Sequence, residues 1–121
     1  MPASRNQNLG AKLRVVIAPG IGIGPGKAGL LEAIAETGSI SAAGRKLGMS
    51  YKRAWHLVSA MNEQFPQPLV EGAKGGKKGG GAALTPLGRT VLSAFREMES
   101  RADRAIAPTL KALRRKAKLS D

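Results

Sequence analysis

The chain has 121 residues, 42% of them hydrophobic, with one Trp, one Tyr and two Phe as its only aromatics, so small aliphatic side chains must fill a single core. No apolar run reaches the ~20 residues needed to span a bilayer, and the absence of Cys excludes disulfides and thiolate metal sites. Twenty Lys and Arg against eight Asp and Glu give a formal charge of +12, spread along the chain, which favours a polyanionic partner, nucleic acid ahead of an anionic membrane surface.

Residues 1–10 read as a disordered arm without the apolar stretch of a signal peptide, which fits a cytoplasmic protein. "KLRVVIA", Lys12 to Ala18, is short, β-branched and bounded by Pro19-Gly20, and predicts a strand. The following "PGIGIGPG" is a glycine-rich turn that can hold a second extended piece at Ile21 and Ile23. Pro25 sets the first turn of a helix whose buried stripe is Leu30, Leu31, Ile34 and Ala35, ended by Gly38. Ser41 is positioned to cap a short helix through Ala42, Ala43 and Leu47, which Gly48 closes. Ser50 then caps a second helix from Tyr51. A connection as short as "GMS" permits only a sharp corner between them, the helix-turn-helix signature.

"PQP" at 66–68 forces an extended exit, and "LVEGA" (Leu69 to Ala73) and "GAALT" (Gly81 to Thr85) flank "KGGKKGGG". A linker between domains would also be rich in Gly and Lys, but the flanks match in length and the second runs straight into a helix start, so a hairpin is the better reading. Thr85 caps a last helix with Pro86 at its first position. Its apolar stripe at Val91, Phe95, Met98 and Ala102 is longer than one small core can cover and predicts a homodimer contact. Pro108 predicts a bend or restart before the basic end "LKALRRKAK". The expected fold is therefore mainly α with a small β-hairpin wing. It is a winged helix-turn-helix domain over 11–85, followed by a long linker and dimerisation helix over 86–121.

"GPGKAG", Gly24 to Gly29, matches the dinucleotide pattern G-x-G-x-x-G, but the helix pair occupies the place of the second parallel strand and its acidic residue. It reads as turn geometry. His56 is the only histidine, the carboxylates are scattered, and no nucleophile–base pair or metal-ligand spacing is present, so the chain does not read as an enzyme and needs neither cofactor nor metal.

On the second helix of the pair, Ala54, Leu57, Val58, Met61 and Phe65 share one face at 100° per residue and should meet the core. Lys52, His56, Ser59 and Glu63 lie opposite, with Arg53 and Trp55 on the shoulders and Trp55 assigned to the hinge with the neighbouring helix. Most such faces are merely solvated. Here the outward residues near the helix start are donors suited to base edges and phosphates in a major groove. Lys52, Arg53, His56 and Ser59 are thus candidate readers; Ser41, Arg45 and Lys46 are candidate DNA-backbone contacts, and Lys74, Lys77 and Lys78 candidate wing contacts.

"GSISAA", "MSYK" followed by "AW", and "GGKKGGGAALTPLG" together resemble the N-terminal DNA-binding domain of ModE-type molybdate-responsive regulators and, more distantly, LysR-type domains. The resemblance covers about residues 11 to 107 and implies a homodimer on a palindromic double-stranded DNA operator, with dimer contacts from the long helices and with Ser50, Tyr51, Lys52 and the residues one turn on as the readers of DNA. Two positions depart from the pattern: Gly44 replaces a usual Ala, and Gly72 a usual Arg, which takes away one phosphate-binding group. The family's molybdate-binding domains have no counterpart in these 121 residues, so the expectation is a stand-alone regulator that binds no molybdate. The competing expectation is a nonspecific, nucleoid-type or architectural binder, for which the charge and the Gly-Lys loop would suffice.

Overall fold

The computed structural model describes residues 10–73 and 81–118. Strands β1 (Val15–Ala18) and β2 (Ile21–Ile23) form an antiparallel hairpin whose turn uses Gly20 at φ +78°, a left-handed value that glycine adopts without a Cβ clash. The first strand is shorter than the Lys12–Ala18 expected: only residues from Val15 find partners, because β2 is three residues long and ends at Ile23 opposite Val15.

Helix α1 (Pro25–Thr37) begins on Pro25, whose missing N–H costs nothing at a helix start. It ends at Gly38, φ +74°, which returns its N–H to the Ile34 carbonyl at 2.8 Å. Helix α2 (Ile40–Lys46) is capped by Ser39, whose Oγ accepts from the Ala42 N–H at 3.0 Å. The expected cap, Ser41, lies inside the first turn. Both serines suit the spacing, but it is Ser39 that has the extended backbone, φ −156°, that turns a side-chain oxygen toward the open N–H groups. Gly48 at φ +73° turns the chain, Met49 donates to the Gly44 carbonyl at 2.9 Å, and Ser50 caps α3 (Tyr51–Gln64) through the Arg53 N–H at 3.1 Å. Gly44 is buried where α2 meets α3: a Cβ there would lie 3.3 Å from both the Ala54 Cβ and the Met49 carbonyl.

Strands β3 (Val70–Ala73) and β4 (Gly81–Leu84) pair antiparallel from Val70 opposite Leu84 to Ala73 opposite Gly81, so the expected hairpin flanks do form a ladder. Helix α4 (Pro86–Lys116) starts on the Thr85 cap, with the Gly88 N–H donating to Thr85 Oγ1 at 2.9 Å. It passes through Pro108 without the expected restart. The missing hydrogen bond is the one to the Arg104 carbonyl, on a side of the helix where Arg104, Ala105, Ala107 and Pro108 are all exposed, so water can serve the freed carbonyl, and the flanking Ala, Leu, Lys and Arg are strong helix formers.

The largest fully buried side chains are Leu30, Leu31 and Ile34 of α1, Met61 of α3, Phe95 of α4, and Leu69 just ahead of β3. They knit the helices and the second hairpin into one core. The order strand, strand, helix, helix, helix, strand, strand, long helix is a winged helix-turn-helix. No helix among the described residues is long and apolar enough to cross a membrane.

Candidate nucleic-acid interface

Burial of Ala54, Val58 and Met61, with Leu57 and Phe65 half-buried, turns the opposite side of α3 outward as the periodicity required. Lys52, Arg53 and His56 are exposed on its first two turns and Ser59 is half-buried. Ser50, Lys52, Arg53, His56 and Leu57 line one shallow groove. Tyr51 is also exposed. This face presents an ammonium, a guanidinium, an imidazole and a hydroxyl with no carboxylate until Glu63 at the far end. Such a set can donate to bases or phosphates but has no acidic group to repel them.

Trp55 does not seal the hinge between α2 and α3. It is 48% exposed and stands edge-on to His56, ring centroids 6.0 Å apart and planes at 89°. The reason is angular: Ala54, Leu57, Val58 and Met61 centre the core-facing side of α3, and Trp55, one 100° step from Ala54, falls on its flank. An exposed indole beside the basic face was therefore missed as a functional candidate.

On α2, Ser41 is half-buried and its Oγ accepts from Arg45 Nη1 at 2.9 Å, so these two candidates form one small polar unit. Lys46 is ion-paired with Glu36 of α1. Both groups are about half exposed, and the pair contributes little to stability. Any phosphate contact by Lys46 must compete with that carboxylate. Lys74, Lys77 and Lys78 lie outside the described residues.

The stripe on α4 divides. Phe95 is fully buried in its own domain's core, and this corrects its assignment to a dimer contact: the ring is used up inside the protomer. Val91, Met98 and Ala102 are half-buried, the first two packed at the edge of the same core. Arg96 bridges Glu32 of α1 and Glu99 of its own helix. Burial would lower the pKa of its guanidinium, but the hydrogen bonds and charges of Glu99 and Glu32 outweigh that and raise it, so Arg96 stays charged.

One residue that holds this face in place gave no signal in the sequence. Asn62, near the end of α3, accepts at Oδ1 from the Leu69 and Val70 N–H groups (2.8 and 3.1 Å) and donates from Nδ2 to the Val70 carbonyl at 3.0 Å. Two backbone donors and one acceptor fix the orientation of the amide.

Similarity to known proteins supports the same picture. The chain matches 49% of 81 positions in the molybdenum-pterin-binding protein MopB of Rhodobacter capsulatus, over 67% of this chain and 30% of that protein. It matches 44% of 71 positions in the DNA-binding transcriptional dual regulator ModE of Escherichia coli K12, over 59% of this chain and 27% of that one. The chain thus spans about a third or less of the length of these curated relatives. Among solved structures, the DNA-binding domain of CbnR in its DNA complex superposes with a TM-score of 0.57 at 23% identity, covering 72% of this chain and 94% of that one, and shares the fold. Residues 28–89, from the core of α1 to the first turn of α4, match the bacterial regulatory helix-turn-helix model of the lysR family. With just over half of its length inside that model, a span that takes in the helix corner, the β3–β4 ladder and the capped start of α4, the chain belongs to the lysR family of bacterial regulatory helix-turn-helix proteins.

Proposed function

We propose that the chain is a sequence-specific DNA-binding transcriptional regulator acting as a homodimer on a palindromic operator in the bacterial cytoplasm. The observation that carries this reading is the outward face of α3. Lys52, Arg53 and His56 stand exposed on the first turns of the second helix of the corner, where a recognition helix presents its readers to the major groove. Ser50, Tyr51 and Ser59 flank them. Ser41, Arg45 and Lys46 are assigned to the DNA backbone, and Lys74, Lys77 and Lys78 to phosphates beside the wing. Pairing of two chains is assigned to the α4 stripe without Phe95: Val91, Met98 and Ala102, continued by Ile106 and Leu110, which are half-buried past the edge of the core.

Binding selection from random duplexes, followed by competition between the selected duplex and random DNA, tests the reading. A preference of ~10³ or more is expected of a specific regulator. Equal competition by random DNA would overturn it and leave the nonspecific architectural role that a charge of +12 also serves.

A further inference from the structure

The short stretch Pro68–Val70, which leads from α3 into the wing, is gripped from two sides. From α3, Asn62 takes both N–H groups of Leu69 and Val70 and the carbonyl of Val70. From the start of α4, Thr85 Oγ1 donates to the Pro68 carbonyl at 2.7 Å, and the Thr85 N–H to the Leu69 carbonyl at 2.9 Å. The second wing strand is held elsewhere, by the Ala82 N–H on the Gly38 carbonyl at the end of α1 (2.9 Å). Among the described residues, Asn62 is the one side chain of α3 that hydrogen-bonds to β3.

This arrangement has a directional consequence. α3 carries the reading face on its first turns and Asn62 on its last, on the same rigid rod. β3 begins at Val70, hydrogen-bonded to Asn62, and ends at Ala73, directly before Lys74 in the sequence. A side chain that makes three bonds to two consecutive residues fixes both the position and the rotation of the strand, which a single bond cannot do. Thr85 cannot substitute for it, because it ties Pro68 and Leu69, ahead of β3, to the start of α4 and not to the reading helix.

We propose that Asn62 is a positioning residue for DNA recognition: it locks the start of β3 to the reading helix, so that the chain leading to Lys74, Lys77 and Lys78 departs from one fixed place relative to that helix. The inference rests on the DNA-reading role proposed above. Without the lock, the wing base occupies its productive position only part of the time, and apparent affinity falls by that fraction.

The test is a double-mutant cycle on the selected duplex, comparing Asn62→Ala in the native chain and in a chain with Lys74, Lys77 and Lys78 replaced by Ala. Binding is measured at a temperature where circular dichroism shows every variant folded. In the native background, Asn62→Ala should weaken binding about tenfold, which corresponds to a competent fraction near one tenth. In the wing-stripped background the same change should alter affinity less than about twofold, since the wing then has no charge left to misplace. Asn62→Asp keeps both acceptor bonds, turns the donor to the Val70 carbonyl into a repelling oxygen, and adds a charge common to both backgrounds, so only the difference between backgrounds is read from it. It should show the same dependence on background at a smaller size, and it stands in where the alanine variant does not fold. Equal weakening in both backgrounds would mean that Asn62 only stabilises the domain, and no weakening in a folded native background would mean that the lock is irrelevant to binding; either overturns the proposal. Failure of the unmutated chain to prefer the selected duplex would instead sink the DNA-reading role itself, a separately visible outcome.

Discussion

Gly88 occupies the third position of α4, where the helix passes against the backbone of Leu69, just ahead of β3. A Cβ placed on it would lie 2.1 Å from the Leu69 carbonyl oxygen, 3.0 Å from its carbonyl carbon and 3.3 Å from its Cα. These are main-chain atoms that cannot rotate out of the way. The Leu69 side chain is fully buried, its N–H is held by Asn62, and its carbonyl accepts from the Thr85 N–H. Gly88→Ala must therefore drive helix and strand about 1 Å apart to restore ordinary packing distances. Overpacking of this kind costs ~1–3 kcal/mol, and separating Thr85 from Leu69 adds ~1 kcal/mol. The higher helix propensity of Ala returns ~1 kcal/mol. With two main-chain segments in collision, the upper end applies, a net loss of about 3 kcal/mol. At 4–8 °C per kcal/mol for a domain near this size, Tm should fall by roughly 12 °C or more. Gly29→Ala is the control: Gly29 lies inside α1 with open space around its Cβ position, and the change should stabilise by ~0.5–1 kcal/mol. Thermal and urea unfolding followed by circular dichroism measure both. If Gly88→Ala left Tm unchanged, or the two substitutions shifted it the same way, the close approach of α4 to Leu69 would be refuted.

Other substitutions separate the roles assigned to neighbouring residues. Ser39→Ala should cost ~1 kcal/mol in urea unfolding as the loss of a helix cap, while Ser41→Ala stays within about 0.5 kcal/mol, since Ser41 caps nothing. Lys52→Ala should weaken the selected duplex by ~1–3 kcal/mol and relax discrimination at one base pair in competition binding. Replacing Lys77 and Lys78 together by Ala should weaken selected and random duplexes by similar factors and flatten the salt dependence of log affinity by roughly 0.9 for each phosphate no longer neutralised. Ala102→Glu introduces a charge where α4 passes beyond the core, and sedimentation should show folded monomers in place of dimers at micromolar concentration.

Much of the architecture was legible because its signals are local. Pro25 and Pro86 opening helices, Gly38 and Gly48 closing them, and Ser50 and Thr85 as caps all act within four residues of themselves. The 100° periodicity of α3 separated Ala54, Val58 and Met61 from Lys52 and His56 for the same reason. What escaped depends on backbone angles or on distant partners. Ser39 and Ser41 are equally good caps by residue type, and the difference lies in which of them is extended. Phe95 sits on a stripe that periodicity describes correctly, but periodicity cannot say where the protomer's own core ends along it. The bonds of Asn62 close a loop of seven and eight residues through "PQP", a span without a fixed local geometry. Trp55 was drawn inward by its size, although its neighbours had already filled the space against the core.

Helix α4 has 31 residues, about 46 Å at 1.5 Å per residue, and none of its side chains beyond Phe95 is fully buried. The N-terminal segment touches it where the Ala11 N–H meets Asp103 Oδ1 at 3.0 Å. Five residues further on, Pro108 leaves the Arg104 carbonyl without its helical donor. The helix is thus a lever that pivots in the core, passes one light guide at Asp103, and has its weakest rung in the free arm. A deflection of about 10° at Pro108 would carry the final turns about 2 Å sideways while α3 and the wing stayed still. The direction of the free arm is therefore an independent degree of freedom, set by what packs against Ile106, Leu110 and Leu113 rather than by the winged domain that launches it.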